Sequence, residues 1–201
     1  LRDKGVHNIN LVTGSHFVSP IVEALEKAKL DIPVVWNSSG YDSVESLRRL
    51  DGLVQVYMPD MKYMDAALAR RYSAAPDYPE VAMAAIAEMV RQQPRPVTDE
   101  DGLMRRGVIV RHLVLPGQPE NTRACLDWIA RTFRPGQVLV SLMAQYTPQP
   151  GATGAMARHV TGGEYRAAAA YMENCGIEDG FTQERTSARE EYTPPFDLSG
   201  V

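Results

Sequence analysis

The sequence predicts an α/β fold whose parallel strands curl into a partial barrel, and three of its features point there. Five apolar, β-branched runs, at residues 7–13, 32–37, 53–59, 107–115 and 137–143, have the composition of strands. Amphipathic helical patterns separate them, and strict alternation of strand and crossover helix calls for a parallel sheet, open or closed into a barrel. Most of the runs alternate too little for one face to be wet, so the strands are expected to be buried on both sides.

The connecting elements follow from local signals. Ser19-Pro20 opens a first helix with Ile21, Ala24, Leu25 and Ala28 on one stripe, and Ser43 caps a short second one carrying Val44 and Leu47. Residues 65–75 and 79–91 give two helices in succession, and residues 120–133 another. The last begins at Thr161, whose spacing to Glu164 makes a capping box, with Tyr165, Ala168, Ala169 and Met172 on one face. Residues 93–101 and 148–154, rich in Pro or Gly, read as loops, and residues 187–201 as an extended tail on a single domain spanning 1–201.

Composition narrows the function classes. A formal net charge of −4, with basic residues only in pairs such as Arg70-Arg71 and Arg105-Arg106, gives no electrostatic footprint for nucleic acid. No run of eighteen apolar residues suggests a membrane span. The two cysteines, Cys125 and Cys175, lie far apart in helical segments, which points to a reducing, cytoplasmic setting without a disulfide framework.

In parallel α/β folds the loops leaving the carboxyl ends of the strands form the active face. Those ends are polar in this chain: Thr13-Gly14-Ser15-His16, Asn37-Ser38-Ser39-Gly40, Asp60-Met61-Lys62 and Gln145-Tyr146. Thr13 and Ser15 equally suit helix caps, and Asn37 to Gly40 an ordinary turn. Asp60 and Lys62, two residues apart, project to the same side, whereas Arg111, inside an apolar strand, requires an anionic partner. His112 projects the other way and is read as structural. Asp60, Lys62 and Arg111 with the two polar turns describe a cup for a zwitterionic small molecule, whose carboxylate meets Lys62 and Arg111.

The stretches HNINLVTGSHF, IPVVWNSSGY, VYMPDMKYMD, RRYSAAPDYPEVA, GVIVRHLVLPG, VSLMAQYTP, GFTQE and PPFDLSGV, in this order, resemble the radical S-adenosylmethionine superfamily, and within it the pyruvate formate-lyase activating enzyme-like proteins. The resemblance implies a partial (β/α)6 TIM-like barrel in which a 4Fe-4S cluster and S-adenosylmethionine generate a 5′-deoxyadenosyl radical that acts on a protein or peptide. It also implies that the first βα unit, with its C-x3-C-x2-C cluster loop, is missing, since Cys125 and Cys175 do not match that motif. Carried over residue by residue, Thr13, Gly14, Ser15 and His16 stand where relatives receive the cofactor's amino group, with His16 in place of a glutamate. Asn37 and Ser38 match positions near the ribose and carboxylate, and Asp60, Met61 and Lys62 match an Asp-x-Lys strand end. Arg111 and Leu113 match a strand that approaches the cofactor, and Gln145 and Tyr146 the strand end near the adenine. Two other readings stay open: a cluster-free module that binds S-adenosylmethionine or a partner, and a barrel enzyme using Lys62 as a Schiff-base nucleophile.

Overall fold

The structure, a computed structural model, describes residues 5–182. The tail at 187–201, the end of GFTQE and the whole of PPFDLSGV lie outside the described residues. The fold is α/β, with an open and mostly parallel sheet consistent with a partial barrel. Six strands pair side by side in the order β1 (Ile9–Val12), β2 (Val34–Ser38), β3 (Val56–Pro59), β5 (Met104–Leu113), β6 (Leu139–Met143) and β7 (Gly180–Thr182), each parallel to its neighbours. A two-residue strand, β4 (Val97–Thr98), folds back antiparallel on β5. The six helices are α1 (Val18–Ala28), α2 (Val44–Arg48), α3 (Ala66–Ser73), α4 (Tyr78–Gln92), α5 (Pro119–Thr132) and α6 (Gly162–Asn174). None of the described helices is long and apolar enough to cross a membrane.

Local chemistry sets these boundaries. Ser43 accepts a hydrogen bond from the Ser46 amide at 3.1 Å, and Asp65 caps α3 by accepting from Ala67 N at 2.7 Å. Ala74 stops α3 in the left-handed region, with its N–H returning to Ala69 and Arg70 carbonyls, and Pro79 in the first turn of α4 restarts the helix. The predicted capping box of α6 is present, Glu164 N donating to Thr161 Oγ1 at 3.2 Å and Thr161 N to Glu164 Oε2 at 2.9 Å. Residues 93–101 are more than the loop the sequence suggested. Asp99 accepts from the amides of Asp101 and Leu103 and pairs with Arg105 at 2.6 Å, closing a hairpin that starts β5 at Met104.

β2 and β3 are buried on both faces as expected, but β5 and β6 are not. Along β5 and β6 the residues Val108, Val110, His112, Val140 and Leu142 are buried in the core formed with the helices, while Ile109, Arg111, Leu113, Leu139, Ser141 and Met143 on the other face stay partly exposed. An open sheet has no opposite wall to cover that second face, and its apolar residues are what hid the alternation in the sequence. β7 was missed because Phe181 is the one large apolar residue among its three.

His112 confirms its structural reading. It is fully buried, its Nδ1 donates to Met61 O at 2.7 Å, and its Nε2 accepts from Thr122 Oγ1 of α5 at 3.0 Å. Burial pushes its pKa down to about 4, so the folded ring is neutral while an unfolded one would titrate near the usual imidazole value. The depressed value means that stability from this group is complete above that usual value and is lost as the pH falls towards 4. The loss is roughly 3 kcal/mol at most. Urea unfolding of the wild type and of His112→Asn at neutral pH and at pH 4.5 should show the steeper decline in the wild type. Parallel declines would remove His112 as the source.

Candidate functional site

The strand ends are tied to one another before any ligand is considered. Thr13 N donates to Asn37 O at 2.8 Å, Asp60 N to Ser38 O at 3.1 Å and Met61 N to Arg111 O at 2.8 Å, so the polar termini of β1, β2, β3 and β5 run in register. Neither Thr13 nor Ser15 caps a helix. Thr13 sits in the left-handed region at φ 56° without a side-chain cap bond, and Ser15 Oγ donates across to Asp42 Oδ1 at 2.5 Å. Ser38 Oγ donates to the other oxygen, Asp42 Oδ2, at 2.5 Å. The buried Asp42 carboxylate therefore clips the loop after β1 to the loop after β2. Gly14 has a packing reason of its own, since a Cβ there would stand 2.8 Å from the ring of the fully buried Trp36. His16 is exposed, and Asn37 is half-buried on the open face.

The end of β3 is fixed still more tightly. The hydroxyl of Tyr78, from α4, shares its proton between the carbonyls of Ser39 and Asp60, both 2.8 Å away, and accepts from Lys62 N at 3.0 Å. Asn121 of α5 donates to Lys62 O at 2.9 Å and accepts from Met64 N at 3.0 Å. Gly40, at φ +77°, allows the β2 loop to lie against this segment, where a Cβ would meet Asp60 O at 2.1 Å. Aromatic packing seals the arrangement: Tyr41 stacks on Tyr78 at 6.0 Å and Tyr63 meets it edge-on at 5.4 Å.

On this frame Asp60, Lys62 and Arg111 meet. Asp60 Oδ1 lies 2.7 Å from Arg111 Nη2, and Asp60 Oδ2 lies 3.6 Å from Lys62 Nζ, with side-chain exposures of 17% for Asp60, 21% for Arg111 and 37% for Lys62. One carboxylate between two cations leaves a net positive charge facing the open side. The Asp60–Arg111 contact is close but out of line for a hydrogen bond, and both Asp60 Oδ1 and Arg111 Nε are buried without a hydrogen-bond partner. Arg111 thus has a donor to spare, and it is an unsatisfied one.

Beside this charge group is a cavity of about 590 Å³ lined by Lys62, Leu113 and Tyr146 together with Tyr63, Arg71, Tyr72 and the loop at residues 149–153. Its size falls within the range of small-molecule sites. Tyr146 is positioned by its hydroxyl, which donates to Met156 O at 2.9 Å, and its own carbonyl accepts from His159 Nδ1 at 2.9 Å. Two residues proposed from the sequence do not reach the cup: Met61 is fully buried in the core, on the opposite side from Asp60 and Lys62, and Gln145 is exposed with Met143 Sδ as its near neighbour at 3.8 Å. Asp42, Tyr78 and Asn121 were missed. Only Asp42 left a sequence trace, four residues after Ser38, and that spacing is common in turns.

Removing the Tyr78 hydroxyl takes one donor from two carbonyls and one acceptor from the Lys62 amide. Tyr78→Phe should therefore lower the unfolding free energy by about 1–3 kcal/mol in a denaturant titration. A loss within error of zero would show that water replaces all three bonds.

No family model matches the sequence. An uncharacterized protein of Methanocaldococcus jannaschii is 31% identical over 146 residues, covering 71% of this chain. The chain spans 38% of that relative's length. Among solved structures, a domain of pyruvate-formate lyase-activating enzyme from Bacteroides vulgatus superposes with a TM-score of 0.64 at 9% identity, covering 88% of this chain and 98% of that domain. At that identity the likeness shows the fold, and the chain shares the fold of that domain.

Proposed function

We propose that this chain is the S-adenosylmethionine-binding part of a radical S-adenosylmethionine enzyme of the glycyl-radical-activating kind, acting on a protein or peptide. The observation that carries the reading is the convergence of Asp60, Lys62 and Arg111 at adjoining strand ends, beside a cavity and with Arg111 Nε unsatisfied. The fold shared with the activating-enzyme domain supports it.

The residues fit the amino-acid end of the cofactor. A carboxylate placed against Lys62 and Arg111 would use the excess positive charge of the group. The ammonium group has Asp60 as counter-charge. Leu113 and Tyr146 offer apolar and aromatic surface to the adenine, with Asn37 on the same open face for a ribose hydroxyl. Thr13, Gly14, Ser15 and His16 border this end of the sheet. Asp42 occupies Ser15 and Ser38, so those two serines act by holding their loops rather than by offering free hydroxyls. When bound, the cofactor would supply a sulfonium group, whose cleavage to a 5′-deoxyadenosyl radical would take one electron from an iron–sulfur cluster held by residues other than these.

An iron–sulfur cluster is a different matter. The chain has two cysteines, Cys125 buried in α5 and Cys175 at the end of α6, and among the described residues no three of His, Cys, Asp and Glu gather as metal ligands. These residues do not fit a cluster held by three cysteines.

Calorimetric titration of the chain with S-adenosylmethionine tests the proposal. Binding is expected in the wild type, and Lys62→Met and Arg111→Met should each weaken it by about tenfold or more, as loss of a charge-assisted contact does. Circular dichroism would verify that both variants remain folded. Absence of binding to the wild type, or equal affinity in folded variants, overturns the reading.

A further inference from the structure

The stretch RRYSAAPDYPEVA is only partly accounted for by the cup. Its second tyrosine, Tyr78, fixes the strand ends, but Arg71 and Tyr72, in the last turn of α3, face the cavity instead. The Arg71 guanidinium lies over the Tyr72 ring, 5.3 Å from its centre. Arg71 is exposed, and among the described residues no carboxylate pairs with it. No aspartate or glutamate lines the cavity. An uncompensated arginine on the wall of a carboxylate-free cavity creates a positive potential that a ligand anion can use.

We infer that Arg71 forms a second subsite in this cavity, one that holds an oxyanion, carboxylate or phosphate, on the molecule that the protein acts on. The inference rests on the reading above for the other occupant: Lys62 and Arg111 are committed to Asp60 and to the amino-acid end of the cofactor, which leaves Arg71 as the cation for a second ligand. Its contact with the Tyr72 ring keeps the guanidinium at the cavity wall, and a guanidinium can give two parallel hydrogen bonds to one oxyanion. Tyr63 and Tyr72, both on the cavity wall, give the body of that ligand aromatic surface to lie against. The loop at residues 149–153, with Gly151 at φ +82°, places main chain along the same cavity.

The test uses the full chain with glutarate and inorganic phosphate as separate probes, followed by calorimetry, against wild type, Arg71→Gln, Arg71→Lys and the surface control Arg131→Gln. At least one probe should bind the wild type and Arg131→Gln alike, bind Arg71→Gln about tenfold more weakly or worse, and be partly restored in Arg71→Lys. Which probe binds tells carboxylate from phosphate. S-adenosylmethionine affinity should stay within twofold in Arg71→Gln. Wild type that binds neither probe, or equal affinity in Arg71→Gln, overturns the subsite. Loss of S-adenosylmethionine binding with the Arg71-dependent anion site intact would instead overturn the cofactor reading and leave this one standing.

Discussion

The organisation of this protein rests on one buried hydroxyl. Tyr78 sits at the start of α4, yet its oxygen is the joint where the β2 loop, the end of β3 and the Lys62 amide meet. Three main-chain groups at that depth need partners, and a helix that supplies them through one side chain is thereby fixed in position against the sheet. Asn121 repeats the device from α5 on the Lys62 carbonyl and the Met64 amide, and His112 reaches Met61 from inside β5. The segment from Asp60 to Met64 is therefore held from three elements. Asp60 and Lys62 project outward from a main chain that those bonds hold in place.

That arrangement also explains the electrostatics. A carboxylate between a lysine and an arginine would ordinarily collapse into the best available hydrogen bonds. In this protein the backbone is fixed first, and the Asp60–Arg111 contact is left close but misaligned, with Arg111 Nε unpaired. The charge group is held short of its own best hydrogen bonding.

Much of the fold was legible because periodicity and caps are local. The Ser43 cap, the Thr161–Glu164 box and the opposite fates of Arg111 and His112 follow from spacing alone. What was not legible depends on partners distant in sequence. The two-residue β4 exists because Asp99 organises a hairpin on β5, and the three-residue β7 exists because β6 offers it an edge. The site divides the same way. Asp60, Lys62 and Arg111 could be brought together by reasoning from strand ends, but Asp42, Tyr78 and Asn121 act through side chains whose partners only folding brings near. Met61, carried over from the resemblance together with Asp60 and Lys62, lies in the core because its neighbours in an extended chain point to the opposite face.

The two outermost strands carry a last consequence. Val12 on β1 and Phe181 on β7 are 63% and 56% exposed, so each border of the described sheet has a large greasy side chain in reach of solvent. Such borders invite stacking with foreign chains and, in time, fibre growth. With four residues in β1, the ladder available to an intruder at that border is only a few bonds long. Brevity itself is the safeguard there: an encounter can form but finds too little main chain to propagate.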